Sequence, residues 1–538
     1  MKKVLLLAFL LLGSIAPTLV DASCGTTSNC ASSCSSGECC GCPCSGKTFF
    51  TALPLYQSYR PELWSAFRND RMMAADDGIG GAFDFVGFGG QSTKGNELAA
   101  YFLPNCKQAL SVSEVSTPNL ADVPNTFADL DSTNFNIITV GDSFASTASF
   151  DAKQSAMGFG FHYKQGFWFN EERTKWWYVD MSSSVQQVKN TVTICENVTN
   201  NGGGADTSLA PTTVAVDSLT AAFSQAAWNF GKIFSGCAQK KTGLADIEFK
   251  IGRQSMWFEH CHLGGYVGAL IPTGNKPKGV YVFEPIVGHN HHWGVLVGTE
   301  GGFEFWTSRC ERWHASVEIA GQAQYLFRNT QTRSFDLKNR PWSRYQEVYA
   351  NQAQAAQANT LSLTPATAAQ GAALSTPGIN VFTQRVKVQP GFFFNSMTTL
   401  LLTHECGFEA EIGYNLFARE GECVELDCPW LVGPAIKAVG GAGETAPVRD
   451  ITTNFLLESA TVTFADYNQS LIQLSDLDLN SAAHPNIMVN LIYGALSYVW
   501  DDRRVPMGIN VGGSYEFTGR DFAVMKRWVA WGKFNIAF

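Results

Sequence analysis

The sequence predicts an all-β chain: a transmembrane antiparallel β-barrel of roughly 14 to 16 strands with a helical insertion and long loops. Three observations lead there. The first is the end of the chain, where Phe538, Ile536, Phe534, Gly532, Ala530 and Trp528 share one face and Asn535, Lys533 and Arg527 lie between them. That is the period of a strand, and at about 3.3 Å per residue the stretch is long enough to cross a bilayer. The second is a pair of internal stretches. Trp313, Ala315, Val317, Ile319, Gly321, Ala323, Tyr325 and Phe327 oppose His314, Ser316, Glu318, Gln322, Gln324 and Arg328. Phe408, Ala410, Ile412, Tyr414, Leu416 and Ala418 oppose Glu409, Glu411, Gly413, Asn415 and Arg419. The third is composition: 50 Gly and 12% aromatic residues, with only 16% charged, where an ordinary soluble chain carries about a quarter.

The N-terminus reads as a secretory signal peptide, residues 1–22. Met1-Lys2-Lys3 is basic, Val4 to Leu12 is apolar but too short to span, and Val20-Asp21-Ala22 offers small residues for cleavage. Cys24 is close by, but Asp21 stands where a lipoprotein signal needs Leu. Beyond it no run of roughly 18 apolar residues occurs, so an exported chain must either float or cross as a closed barrel.

Residues 23–48 form a Ser/Gly-rich tail holding Cys24, Cys30, Cys34, Cys39, Cys40, Cys42 and Cys44, seven of the 15 cysteines. In an exported chain these read first as disulfide chemistry, with a thiolate metal cluster as the sharper alternative. A segment with nothing to bury needs cross-links to be ordered. The odd local count leaves room for a bond to another chain.

Residues 49–80 make an N-terminal segment, extended from Thr48 to Tyr59, with a short helix begun by Pro61. The barrel is assigned to 81–538. It opens with Phe83, Phe85 and Gly87 alternating with Asp84, Val86 and Phe88, and 104–131 reads as a long loop. Met157 to Tyr163 and Trp176 to Met181 read as a hairpin. Residues 196–243 are an insertion in which Leu219, Phe223, Ala226, Ala227, Phe230, Ile233 and Phe234 recur at helical spacing behind an Asp217-Ser218 cap. Cys195 and Cys237 bracket it and are expected to pair. Strands follow at 247–251, 263–271, 279–283, 293–298, 303–306 and 313–327. After the Ala/Gln-rich 344–376, a helix or surface loop, come 381–388, 392–403, 408–419, 453–464, 487–500, 509–517 and the last strand.

The two internal stretches carry most weight. On the first, Trp313 stands at one end of the apolar face and Tyr325 and Phe327 at the other, with small and branched residues between. That is the pattern of a lipid band between aromatic girdles. Carboxylates and Arg in mid-strand on the opposite face suit a watered lumen, which assigns Glu318, Arg328, Glu409, Glu411 and Arg419 to its lining.

No motif carries enzymatic chemistry. Gly141-Asp142-Ser143-Phe144 resembles the nucleophile block of GDSL-type hydrolases, but the best late His, His484, has Ser481 where the mechanism needs Asp. Glu259-His260-Cys261-His262 on a strand would turn only two donors to one side, and His289-Asn290-His291-His292 reads as a polar turn, so no metal is expected. Gly87 to Gly95 lacks Walker spacing. A net charge of −9 suggests no nucleic-acid partner. No cofactor is called for.

The terminal Phe534-Asn535-Ile536-Ala537-Phe538 resembles the barrel-assembly signal of bacterial outer-membrane β-barrels, carried here by Phe534, Ile536 and Phe538. With the Cys-rich start, Pro272-Thr273-Gly274-Asn275-Lys276-Pro277 and Glu196-Asn197-Val198, the chain is similar to porin-like barrels of obligate intracellular bacteria. Those include the chlamydial major outer-membrane protein and barrels of Dependentiae. The resemblance implies a place in the bacterial outer membrane, with outer-membrane lipids and the barrel-assembly machinery as partners and homo-oligomers or disulfide-linked envelope proteins as further ones. It implies passive diffusion of small solutes or ions through a porin, and a structural envelope role. The alternatives are a barrel-anchored surface adhesin without an open pore, which a filled lumen would indicate, and a soluble secreted enzyme, which would extract without detergent.

Overall fold

The structure, a computed structural model, describes residues 46–58, 60–65, 80–113, 129–137, 139–140, 144–205, 215–256, 261–338, 341–361, 374–431, 433–436, 447–450, 455–461, 471–500, 505–518 and 522–538. The signal peptide, the seven tail cysteines, Gly141 to Ser143, Glu259 and His260 lie outside the described residues.

Twelve strands close into one antiparallel barrel. They are β1 (Gly81–Ser92), β2 (Ala145–Phe167), β3 (Lys175–Asn200), β4 (Ile247–Met256), β5 (Cys261–Ile271), β6 (Gly294–Thr307), β7 (Trp313–Leu326), β8 (Gly391–His404), β9 (Phe408–Arg419), β10 (Ile487–Trp500), β11 (Met507–Phe517) and β12 (Arg527–Ala537). Each pairs with the next in sequence, and β12 returns to β1 in unbroken register from Ala82↔Ala537 to Ser92↔Arg527. Phe538 completes the seam through two backbone bonds with Gly81, at 2.8 and 2.9 Å. Closure leaves no unpaired sheet edge, the condition for a sheet to sit in lipid.

Alternation sorts the two faces. Outward lie Val297, Leu400, Ile412 and Val511, all more than half exposed. Inward lie Asp84, His162, Lys164, Asp180, Glu516, Arg527 and Lys533, all buried. On β7, Trp313 contacts His404 at one end and Tyr325 contacts Phe392 at the other. The 13 residues from Trp313 to Tyr325, at about 3.3 Å per step and a tilt of about 40°, span about 30 Å, a bilayer's apolar thickness.

The sequence reading of roughly 14 to 16 strands overshoots. Residues 279–283 run beside the insertion, Thr383–Gln389 joins a small sheet with Asn329–Ser334 and Cys423–Leu426, and Phe455–Thr461 pairs with Pro447–Asp450. All read as extended apolar stretches, but their hydrogen bonds lie outside the barrel ladder. Connections alternate too. The links β2–β3, β6–β7 and β8–β9 are short, whereas β1–β2, β3–β4, β7–β8 and β9–β10 are long, and their described residues fold into a cap over one mouth. Beneath the cap Phe50, Phe102, Phe135, Phe223, Trp228 and Trp342 form one core.

The helical insertion is also reduced. Only the one-turn helix Leu219–Ala222 forms, capped by Ser218, whose hydroxyl accepts from the Ala221 N–H. Beyond it the chain bonds elsewhere: Gly231 to Gly279 (2.9 Å) and Lys232 to Val280 (3.0 Å). Tertiary hydrogen bonds displace the intrahelical ladder, and the apolar residues enter the cap core. The Ala/Gln-rich region does form a helix, Gln352–Leu361.

Candidate functional site: a lumen filled by the chain's own N-terminal segment

The lumen is occupied. Residues 46–58 enter beneath the cap, and 60–65 end beside the middle of β11 and β12, the last four of them before Ser65 forming the one-turn helix α1 (Pro61–Trp64). At the mouth the Lys47 ammonium donates to the Asn480 carbonyl (2.7 Å) and the Tyr101 hydroxyl to the Phe49 carbonyl (3.0 Å). Lower down, Gln186 Nε2 donates to the Leu55 carbonyl and Arg527 to that of Leu53. At mid-barrel Lys533 Nζ donates to the carbonyls of Leu63 (2.7 Å) and Ser65 (2.8 Å), and Trp531 Nε1 to Ser65 Oγ.

The wall is shaped for this segment. The Tyr56 ring stacks on Phe88 with centroids 5.6 Å apart. It lies against Gly160 so closely that a Cβ there would stand 2.3 Å from the ring. Glycine at that inward position makes the room.

Charge is matched as well. Arg60 and Glu62 are fully buried; Arg60 pairs with Glu62 (2.9 Å) and Glu516 (2.8 Å), and Glu516 also binds Arg527 (2.7 Å). On the wall, His162 bridges Asp84 (2.8 Å) and Asp180 (2.9 Å). Asp180 meets Lys250 (3.4 Å), and Lys164 meets Glu300 (3.1 Å). Ser58 Oγ donates to Glu248. Charges out of water must be paired, and these are: the inner face is a packed polar core. A recess between the segment's residues 50–55 and the wall measures about 20 Å³, room for about one water. Larger recesses, about 820 and 900 Å³, lie on the outer wall around Leu400, Ile412 and Gly494.

The sequence-predicted lining residues separate into groups. Glu318, Glu409 and Glu411 face inward in the tight-turn half, Glu318 at 3.2 Å from His262 and Glu411 accepting from Asn510 at 3.4 Å. Arg419 is buried at the opposite end, under the cap, and donates to His484. Arg328 lies beyond β7 and forms an exposed ion pair with Glu425 at 3.0 Å; the strand ends before it, so its sequence parity no longer sets its direction. Cys195 and Cys237 are free and exposed instead of paired. The ends of the insertion are held by Ser235 Oγ, which accepts from the Ile194 N–H (2.9 Å), and by Gly236 N–H to the Val192 carbonyl (3.1 Å). Of the polar motifs, His289 sits on Asp246 (2.8 Å) and bonds Gln57 (2.5 Å). Among the described residues no three His, Cys, Asp or Glu gather as metal ligands.

Above the strands a continuous polar chain grips the segment. His292 Nδ1 donates to the Phe327 carbonyl (2.7 Å), and its Nε2 accepts from Gln331 (2.8 Å). Gln331 accepts from Arg333 (2.7 Å), which pairs with Glu422 (2.9 Å) and lies 3.4 Å over the Phe49 ring. Glu422 accepts from the His484 N–H (2.9 Å), and the His484 ring packs on Phe50 and Tyr101. Burial would raise the Glu422 carboxyl, but Arg333 and Arg419 hold it down to about 2. Burial lowers both imidazoles, His292 to about 4 and His484, with Arg419 beside it, well below its ordinary value.

Sequence reasoning missed the segment as lumen filler. The signal was present in two halves: Arg60 and Glu62 in a stretch of apolar residues, and inward charges such as Asp84, His162 and Lys164 on strands. Nothing in spacing joins the two.

No family model matches the chain, and no curated protein matches it. Among solved structures it is similar to an outer membrane channel from Pseudomonas putida F1, at 8% identity over 85% of this chain and 96% of that one, TM-score 0.34. The transport unit of the autotransporter AIDA-I from Escherichia coli matches at 9% identity over 89% and 99%, TM-score 0.30. A FadL homologue from Pseudomonas aeruginosa matches at 7% identity over 88% and 94%, TM-score 0.25. Superpositions this loose say nothing of function, and the barrel rests on its own strand pairing.

Proposed function

We propose that this protein is a bacterial outer-membrane barrel that anchors its loop-built cap at the cell surface, with the lumen kept shut by residues 46–65. The buried Arg60–Glu516–Arg527 cluster, which ties that segment to the wall, carries the reading. The apolar outer belt supports the lipid partner, and the terminal Phe534, Ile536 and Phe538 support recognition by the barrel-assembly machinery. The inward Glu318, Glu409 and Glu411 support a second reading, a porin for small solutes that conducts once the segment leaves. The narrower likeness to porin-like barrels of intracellular bacteria rests on the Cys-rich start and the terminal strand. In this reading the chain has no catalytic role.

Conductance in a planar bilayer separates the two. The full chain, shown to be folded and inserted, is expected to be silent at neutral pH, and deletion of 46–65 to give stepwise openings. Steady channels from the intact chain would overturn the closed-lumen reading in favour of the porin.

A further inference from the structure

We propose that the polar chain His292–Gln331–Arg333–Glu422–His484–Arg419 is an acid-released latch that holds the N-terminal segment in the lumen. This rests on the closed-lumen reading and adds the condition under which the segment lets go.

The geometry fixes the state of His484. Arg419 can only donate, so the His484 Nδ1 that it reaches must accept. The ring proton is then on Nε2, which is buried without a partner among the described residues. A second proton has to bind Nδ1. Its acceptor would be the Pro485 carbonyl, 3.0 Å away, and Arg419 would have to withdraw. The groups that face His484 are Arg419 on β9, Glu422 after it, Lys47 on the segment, and the Phe50 and Tyr101 rings. One carboxylate already answers two guanidiniums there, so a further cation has no anion to meet.

His292 repeats the arrangement. Its Nε2 accepts from Gln331, so protonation there breaks that bond, and Gln331 is what positions Arg333. Arg333, Glu422 and His289 are the charged or titratable groups around it. Both changes act on the same residues of the segment, because Arg333 covers Phe49, His484 packs on Phe50, and Glu422 is the acceptor facing Thr51.

The sign follows from linkage. Both imidazoles are held neutral, below their ordinary value, so the unfolded or released chain takes up protons first. The grip is complete above about pH 6.5 and is lost as pH falls toward about 4.

Hydrogen exchange on the full chain, folded in detergent and corrected for intrinsic rates, tests this. Between neutral pH and roughly pH 4, amide protection of Thr48–Gln57 should fall at least about tenfold while the β8–β9 ladder stays protected. In the double variant His292→Gln with His484→Gln that fall should be absent. If the double variant does not fold, each single variant, His292→Gln and His484→Gln, should show a smaller fall than the wild type, because one of the two titrating rings remains. Unchanged protection in the wild type at pH 4, or the wild-type pH response in the variants, overturns the latch alone. Loss of protection already at neutral pH would instead overturn the closed lumen on which it rests.

Discussion

The barrel wall and the cap that closes it are built from the same residue types under opposite rules. In the wall one rule repeats: every second residue faces out. Apolar residues such as Val297, Leu400 and Ile412 therefore form a belt, while Asp84, His162 and Lys164 turn inward. In the cap no period survives. Phe135, Phe223, Trp228 and Trp342 come from three separate loops and meet in one cluster. A wall fixes contacts through backbone pairing, so side-chain direction follows from parity. A cap fixes contacts through packing, and sequence distance then says little about spatial distance.

The sharpest test of the contrast is an inward charge. Arg527→Met leaves Glu516 with Arg60 as its remaining ion-pair partner and removes the donor to the Leu53 carbonyl. Breaking a buried pair costs about 3–5 kcal/mol, so urea unfolding of the refolded barrel should shift strongly toward lower denaturant. A change below about 0.5 kcal/mol would mean that this inner face is wet and not packed.

The complementary test is an outward one. Leu400→Arg places a cation on the exposed face between the two aromatic ends of β8. Refolded into bilayers it should cost about 2–4 kcal/mol, against almost nothing for the same cation at the exposed cap residue Leu431. Equal stability of Leu400→Arg and Leu431→Arg would break the assignment of this face to lipid.

The smallest expected effect belongs to the cap. Glu347, in the small sheet with Ser375, has its carboxyl pushed up to about 7 by burial, against which a hydrogen bond from Ser375 pulls down. The folded state keeps its proton while the unfolded chain has lost it, so stability declines as pH rises from about 4.5 to about 7. Glu347→Gln should flatten that decline, by about 1 kcal/mol at neutral pH, read as the pH dependence of cap melting. An unchanged slope would show that Glu347 is not the group responsible.

Much of the wall was legible beforehand, and the reasons are specific. β7, β9 and β12 alternate over their full lengths, with aromatics near the ends of the apolar face, and each pairs as the alternation implies. Arg328 shows where legibility stops: parity placed it in the lumen, but the strand ends at Leu326. The helical spacing of Leu219 to Phe234 was real, yet the backbone of 231–232 found partners at 279–280 and the helix stopped after one turn.

The sequence by itself determined that this chain makes a closed antiparallel sheet with an apolar outside and a polar inside, because alternation is a local property of the backbone and is written residue by residue. Only the tertiary structure decided that twelve strands suffice, and that residues 46–58 and 60–65 pack against the polar inside from the cap down to mid-barrel. Those outcomes depend on which distant charges meet, Arg60 with Glu516 and Lys533 with the Ser65 carbonyl, and such pairings across more than 400 positions leave no period in the sequence.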